Sequence, residues 1–243
     1  MKQRTARQFF AAVPFGALLF AAGIAAGGAP VATDSSSGAG SYPRMAPLDQ
    51  YLMPDPRAEI ALAQSAAPAA ISAEATVLVL KREGYETAVK GTNGFTCLVE
   101  RAWASPFDSA EFWNPRLRGP VCYNPAATRS VLPNRLRRTE LVLAGHSREQ
   151  ILDEIRAALA RKDLPAPEAG AMSFMMSKDG YLSDSQGHWH SHLMFHVPKA
   201  AAATWGANLP GSPVILDDRV VPEETLFLVP VGRWSDGTEA PTS

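Results

Sequence analysis

Histidines are concentrated in one short segment of this 243-residue chain, GHWHSHLMFH, which spans residues 187–196. Four of the five histidines of the chain lie in it, and the first three are spaced two residues apart. Imidazole is a common metal ligand, and two histidines with a third ligand are typical of an open Zn²⁺ site. Spacing by two suits a strand, on which alternate side chains share a face. The segment therefore predicts a metal-binding face formed by His188, His190 and His192.

Strand geometry limits how many of these imidazoles can bind one ion. Residues two apart on a strand are separated by about 6.7 Å, so neighbours can converge on an ion with bonds of about 2.1 Å. His188 and His192 lie about 13 Å apart, too far for both to join His190. We therefore favour His190 with His192, and expect His196 to stand apart. The candidates for a further ligand are His146, Asp179 and Asp184.

Other interpretations of the segment need no zinc. The same alternation gives a strand with a solvated histidine face and a more apolar core face, formed by Trp189, Ser191, Leu193, Phe195 and Val197. Because histidine titrates near neutral pH, the row would also suit a pH-responsive surface. Nearby methionines add a copper hypothesis, since thioethers with imidazole favour copper, although methionines on strands also fill cores. These methionines are Met172, Met175, Met176 and Met194.

The first thirty residues have the pattern of a secretory signal peptide. MKQRTARQ is basic and free of acids, and the apolar run that follows loses bulk towards Ala, Gly and Pro. An uncleaved anchor is the alternative, because the run is nearly long enough to span a bilayer. We expect residues 1–30 to be removed and the protein to be periplasmic or secreted.

Charge and hydropathy argue against two classes of partner for the remaining chain. The formal net charge is −1, and loss of residues 1–30 would remove only basic side chains. Without a long basic run, we expect no nucleic acid partner, and no later segment has the length of a membrane span. The short basic patch from Arg135 to Arg138 lies beside Glu140 and predicts a solvated helix face.

Export also changes how Cys97 and Cys122 are interpreted. An even number of cysteines in an oxidising compartment favours a disulfide. By loop-closure entropy, a closed loop of about 26 residues would stabilise the fold by about 3.5 kcal/mol. A catalytic Cys97 assisted by a distant histidine is the alternative.

Periodicity and capping predict the elements that position these residues. A capping box at Ser147, followed by apolar residues at helical spacing, predicts a helix over about 148–162. Shorter helices are predicted over 55–67 and 126–131, and strands over 76–80, 85–91, 95–103, 171–176, 188–197 and 225–231. Tight turns between the first three strands predict an antiparallel meander.

These elements predict one α+β domain, with an antiparallel sheet and a few helices packed against it. We expect a flexible linker at residues 31–50, the domain at 51–235 and a flexible tail at 236–243. The linker and the tail are rich in small and polar residues and have little apolar surface to bury.

Several segments of the chain resemble a family of predicted exported bacterial proteins. They are NGFTCLVERAW, FWNPRLRGPVCYNPAA, MSFMMSKDGYLSD, HWHSHLMFHVP and WGANLPGSPV. The resemblance covers about residues 65–238 and implies export and a single domain. It implies no activity and assigns no catalytic residue.

Two classes of function follow, and whether the chain is an enzyme stays open. The first is an exported protein that binds Zn or Cu through the histidine-rich strand. The second is a non-enzymatic envelope protein that binds a small ligand or an envelope component without metal, with Trp113 and Trp205 as stacking surfaces. The sequence contains no GxSxG, SxxK, HExxH or GxxxxGK motif that would favour a particular reaction.

Overall fold

An eight-stranded sheet organises the part of the chain that the computed structural model describes, which is residues 42–184, 187, 190–199 and 202–241. The strands are β1 (Thr76–Lys81), β2 (Gly84–Val89), β3 (Thr96–Glu100), β4 (Gly119–Tyr123), β5 (Met172–Met175), β6 (His192–Pro198), β7 (Ile215–Asp217) and β8 (Glu224–Pro230). Their order across the sheet is β2-β1-β3-β4-β5-β6-β8-β7. The predicted signal peptide lies outside the described residues.

The sheet is mixed, so the prediction of an α+β fold is confirmed but that of a purely antiparallel sheet is wrong. β1 and β3 run parallel, with Val77 opposite Cys97, whereas the other neighbouring strands are antiparallel. β3 therefore adds to the side of β1 that the hairpin partner β2 leaves open, and the predicted meander does not form. Strands β4 and β7 were not predicted from the sequence. All five residues of β4 are buried, so it lacks the alternation that marks a half-exposed strand.

Five helices pack against the sheet. They are α1 (Pro56–Gln64), α2 (Ala69–Ser72), α3 (Pro125–Ser130), α4 (Leu132–Leu143) and α5 (Arg148–Ala160). The α5 capping box is present: the Ser147 hydroxyl accepts from the Gln150 amide, and the Gln150 side chain accepts from the Ser147 amide. Asp55 and Asn124 cap α1 and α3 in the same way, through their side-chain oxygens.

Helices cover both faces of the sheet. Ala63 of α1 packs in one cluster with Cys97, whereas Leu132 of α4 packs in another with Leu98. Because adjacent strand residues point to opposite sides, α1 and α4 lie on opposite faces. We call the side that carries Leu98 the α4 face; the candidate site lies there.

Helix α4 overturns the prediction that the basic patch is a solvated helix face. Arg135 and Arg138 are buried, and only Arg137 of the three arginines points into solvent. Residues three apart lie on the same side of a helix, so Arg135 and Arg138 share the buried side with Leu132. Packing against the sheet thus takes two guanidinium groups out of water.

Described residues outside the predicted domain boundaries make contacts with the domain at both ends. The Tyr42 hydroxyl donates to Asp184, so residues predicted as linker already contact the domain before residue 51. At the other end Ala240 is buried, and its amide donates to the Gly232 carbonyl oxygen at 3.0 Å. Residues 31–41 of the predicted linker and 242–243 of the tail lie outside the described residues.

The predicted disulfide between Cys97 and Cys122 is confirmed. The two cysteines lie directly opposite each other on β3 and β4, and both are buried. The bond therefore joins two central strands beneath α1. Within the ranges described above, none of the helices has both the length and the apolar composition needed to cross a membrane.

Candidate functional site

The structure places the predicted metal-binding histidines in different surroundings. His188 lies outside the described residues. His190 precedes β6 and is exposed, whereas His192 opens the strand and is half-buried, with Nδ1 2.7 Å from the His190 carbonyl oxygen. His190 lines a surface depression with Pro230, while His192 lines a different cavity with Met194. The two imidazoles therefore border separate spaces.

Asp184, a predicted further ligand, is held in a hydrogen-bond network of its own. Its Oδ1 accepts from the Tyr181 hydroxyl at 2.6 Å and from Asn114 Nδ2 at 3.1 Å, and its Oδ2 accepts from the Tyr42 hydroxyl. The hydrogen bonds from Tyr181 and Tyr42 lower the pKa of Asp184. The carboxylate thus anchors the segment around Tyr42 to the loop before β6.

The remaining two predicted ligands have local structural contacts. The Asp179 amide donates to Ser177 Oγ at 3.1 Å, and the His146 amide donates to the Leu141 carbonyl oxygen at 3.1 Å as α4 ends. Across the described part of the chain, no three His, Cys, Asp or Glu side chains are grouped so that they could hold a metal ion. Because His188 is not among those residues, the metal site stays a prediction.

Strand β6 directs its histidine face inward, contrary to the prediction of a solvated row. Met194 and His196 are buried on the α4 face. Of the expected core residues, Ser191 is buried just before the strand, but Leu193, Phe195 and Val197 are only half-buried. The reason is tertiary: Met194 packs in the same cluster as residues of α3 and α4. Alternation predicted the two faces of the strand but not which one the helices cover.

Three polar side chains on neighbouring strands form a buried hydrogen-bonded row. His196 Nε2 lies 2.9 Å from Ser173 Oγ on β5, and Nδ1 lies 2.6 Å from Glu224 Oε1 on β8. If Nδ1–H donates to the carboxylate and the hydroxyl donates to Nε2, both ring nitrogens of a neutral imidazole are satisfied. Ser–His–Glu is also the order of a nucleophile, a base and an orienting acid. Ser173 and His196 are completely buried, however, so a substrate does not reach the hydroxyl in this structure.

The row continues into helix α4 through Arg135. Arg135 Nη2 lies 3.6 Å from Glu224 Oε1, and Nε lies 3.6 Å from Glu100 Oε1, which also accepts from the Tyr123 hydroxyl at 2.5 Å. Burial alone would raise the pKa of Glu224, but Arg135 and His196 outweigh it and hold that pKa below its usual value. Burial opposes the charge of Arg135 as well, and the surrounding carboxylates more than compensate, so its pKa is raised. Arg135 and Glu224 are therefore ionised at neutral pH.

Arg138, one turn along α4, supplies a second buried positive charge. Its Nη2 donates to the Ser105 carbonyl oxygen at 2.7 Å and its Nη1 to the Val220 carbonyl oxygen at 3.1 Å. Its guanidinium carbon lies 4.2 Å from the centre of the Phe107 ring, an arrangement typical of a cation–π contact. Burial and the neighbouring Arg135 lower the pKa of Arg138.

A cavity of about 250 Å³ lies against this charged network. Its floor is the α4 face of the sheet, where Met175, Met194, Leu226 and Leu228 present apolar side chains. The polar side chains on its wall include Arg135, Glu100, Tyr123 and His192. The space thus combines an apolar floor with a polar edge that belongs to the buried network.

Arg135 leaves one donor without a partner. Its Nη1 is buried and makes no hydrogen bond to any described residue. The side chain as a whole is only 5% exposed, so water does not readily replace the missing partner. An unsatisfied buried N–H group costs about 1–3 kcal/mol. Because Arg135 also lines the cavity, a molecule bound there lies beside this guanidinium group.

The same cavity holds part of the predicted copper-binding set. Met175, His192 and Met194 all line it. Burial lowers the pKa of His192, a shift that the His190 carbonyl oxygen opposes and the His190 ring favours, so the imidazole is neutral at pH 7. The positive charge of Arg135 in the same wall opposes a metal cation. The thioether and imidazole groups that could bind copper therefore lie beside a positive charge that disfavours a metal cation.

A larger surface depression, of about 650 Å³, lies between the start of α1 and the β1–β2 hairpin. Charged side chains on its rim, those of Asp49, Arg82, Glu83 and Glu86, are exposed. Exposed charges remain solvated and offer a small molecule little that water does not. The smaller cavity on the α4 face, where charges are already desolvated, is the better candidate.

Most polar residues of this site were not predicted from the sequence. Glu224 and Ser173 lie in short apolar strands that contain no recognisable motif. Arg135 and Arg138 carried a signal, because their spacing places them on the same side of α4 as Leu132. Their proximity to Glu140 suggested a solvated helix face instead.

Comparisons of the chain with protein-family models, curated proteins and solved structures give no match. The resemblance to predicted exported bacterial proteins therefore stays a prediction. Functional conclusions rest on the cavity and the buried network beside it.

Proposed function

We propose that this chain is a non-enzymatic binding protein whose cavity on the α4 face takes one small, largely apolar molecule. Sites for small molecules are generally apolar, with a few polar groups that fix the orientation of the ligand. The observation that carries the proposal is that Arg135, a buried residue with an unpartnered Nη1, lines an otherwise mainly apolar cavity.

The size of the cavity limits the ligand. Its volume of about 250 Å³ lies just below the usual range for drug-sized molecules, about 300–1,000 Å³. An engineered apolar cavity of about 150 Å³ in another protein accepts benzene. A single ring with a short substituent, or an aliphatic molecule of similar bulk, therefore suits the space.

Binding fits the chemistry of this site better than catalysis or metal handling does. Glu100, Tyr123 and Arg135 are engaged with one another, an arrangement suited to orienting a ligand. The Ser173 hydroxyl, the nearest match to a nucleophile with a base, is buried away from solvent. For a metal ion, the charge of Arg135 raises the cost of binding at His192 and the two methionines.

We infer that the protein performs this role outside the cytoplasm, in the periplasm or as a secreted protein. The basic start of the chain and its long apolar run support export. The Cys97–Cys122 disulfide supports it as well, since such bonds persist in oxidising compartments.

Calorimetry with ethylbenzene tests the proposed function on the chain that begins after residue 30. Saturable binding is expected, and Ala104→Phe should weaken it at least about tenfold, because the added ring occupies space that the half-buried Ala104 borders. Ala160→Phe, at the exposed end of α5, is the matched control and should bind like the original protein. Equal binding by both variants would place the ligand elsewhere.

Metal analysis separates this proposal from the metal hypothesis. Protein purified without a histidine tag is expected to contain no stoichiometric Zn or Cu. A metal content near one per chain, lost on replacing His190 or His192 with Ala, would instead support the histidine-rich metal site.

A further inference from the structure

We infer that the ligand of this cavity is a neutral molecule with a hydrogen-bond acceptor, such as a ketone, ester or lactone, rather than a carboxylate. This inference rests on the proposed binding function and names the chemical class of the ligand. It follows from the charges around the cavity and from the unpaired donor in its wall.

The buried charges beside the cavity already balance. Glu100 and Glu224 carry two negative charges, and Arg135 and Arg138 carry two positive ones. The formal charges of these four side chains sum to zero. A bound carboxylate would add an uncompensated negative charge to a desolvated region, which is costly unless a partner neutralises it.

The rim of the cavity also disfavours an anion. Asp217 lines the cavity and lies 3.3 Å from Arg219, whose only other ion pair among the described residues is with Asp108, at 3.6 Å. The Asp217 carboxylate at this edge is thus offset only by an exposed arginine that it shares with Asp108. A carboxylate ligand would meet that charge as it enters.

A hydrogen-bond acceptor is nevertheless needed, because the Nη1 donor of Arg135 has no partner among the described residues. A guanidinium group only donates hydrogen bonds, so Arg135 Nη1 cannot be satisfied by a hydroxyl proton or an amine proton of a ligand. A pure hydrocarbon would leave the N–H unpaired. A carbonyl or ether oxygen on an apolar body meets both conditions, since it accepts the bond and brings no charge.

Three molecules of similar size test this class on the unmodified mature chain. Ethylbenzene has no acceptor, acetophenone has a neutral one, and benzoate carries a charge. By calorimetry at pH 7, acetophenone should bind roughly threefold to tenfold more tightly than ethylbenzene, the value of one net hydrogen bond. Benzoate should bind at least about tenfold more weakly than acetophenone.

Infrared spectroscopy of acetophenone labelled with ¹³C at the carbonyl gives a second measurement. The carbonyl band should move to lower frequency on binding, as expected for an oxygen that accepts a hydrogen bond. Arg135→Met should abolish this shift and the preference over ethylbenzene, whereas Arg137→Met, on the exposed side of α4, should leave both unchanged. If Arg135→Met does not fold, the band shift and the order of affinities in the unmodified protein still test whether the ligand is a neutral acceptor.

The outcomes separate this inference from the proposed function. If none of the three molecules binds at millimolar concentration, the binding function itself is overturned. If ethylbenzene and acetophenone bind equally, without a carbonyl shift, the binding function stands and the acceptor class is wrong. If benzoate binds most tightly, Arg135 acts as an anion receptor and the inference is overturned.

Discussion

Replacing Glu224 with Gln should destabilise the protein strongly, although the two side chains have nearly the same shape. Glutamine can still accept the hydrogen bond from His196 Nδ1, now 2.6 Å from Glu224 Oε1, but it removes the negative charge that faces Arg135. At 3.6 Å and an effective dielectric constant of about 20, the lost Arg135–Glu224 attraction is worth about 5 kcal/mol. Removing a buried carboxylate recovers part of that, and Glu100 remains beside Arg135. We expect a net loss of about 3 kcal/mol, at the low end of the range for breaking a buried ion pair.

Urea denaturation monitored by tryptophan fluorescence measures this loss at pH 7. For a domain of this size, about 3 kcal/mol corresponds to a fall in Tm of roughly 6–12 °C. Glu154→Gln, at an exposed position on α5, is the matched control and should change the free energy of unfolding by less than about 0.5 kcal/mol. Each substitution removes one titrating carboxylate from the unfolded chain. The control therefore shows how much of the change in the free energy of unfolding comes from the unfolded state.

The pH dependence of the free energy of unfolding gives the same prediction a second readout. The pKa of Glu224 in the folded protein lies below its unfolded value, so its contribution is present above about pH 4.5 and is lost as the pH falls through the lower, folded pKa. Glu224→Gln should remove that part of the acid dependence. A variant within about 1 kcal/mol of the original protein, with unchanged acid dependence, would refute the buried ion pair between Arg135 and Glu224.

Three further predictions concern other parts of the molecule. His192 has a folded pKa below its usual value of 6.5, so stability should fall as the pH drops from 6.5 towards that lower pKa, and His192→Gln should flatten this slope in denaturation curves. A fluorophosphonate reagent should not label Ser173, because the residue is completely buried; a labelled Ser173 peptide in mass spectrometry would mean that the row opens. Thiol titration of the denatured, unreduced protein should detect no thiol, and replacing Cys97 and Cys122 with Ala should cost about 3.5 kcal/mol of stability, whereas two titrating thiols would contradict the disulfide.

Local sequence signals predicted several elements correctly, since they depend on residues close together in the chain. The capping box at Ser147 and the apolar stripe after it gave α5, because each contact spans at most one or two turns of helix. The asparagine cap before α3 acts over three residues. The expected export and the even number of cysteines were enough to predict the Cys97–Cys122 bond.

Pairings between distant segments were beyond the reach of periodicity. The parallel contact of β1 with β3, and the insertion of β8 between β6 and β7, depend on which edges of the sheet remain open as strands add. β4 is buried on both faces, so its sequence lacks the alternation of apolar and polar residues by which a strand is recognised. The alternation of residues along a strand shows which side chains share a face, but not which strands lie beside it.

The candidate site shows what the sequence determined and what only the tertiary structure decided. The sequence alone determined that alternate residues of β6 share a face and that Arg135 and Arg138 share one side of a helix. Which of those sides is buried depended on α4 packing over the sheet, and that contact joins segments far apart in the chain. Burial then brought His196 to Ser173 and Glu224, 23 and 28 residues away along the chain. Only that packing removed the charges from water and left an unpaired donor on an arginine that lines an apolar cavity.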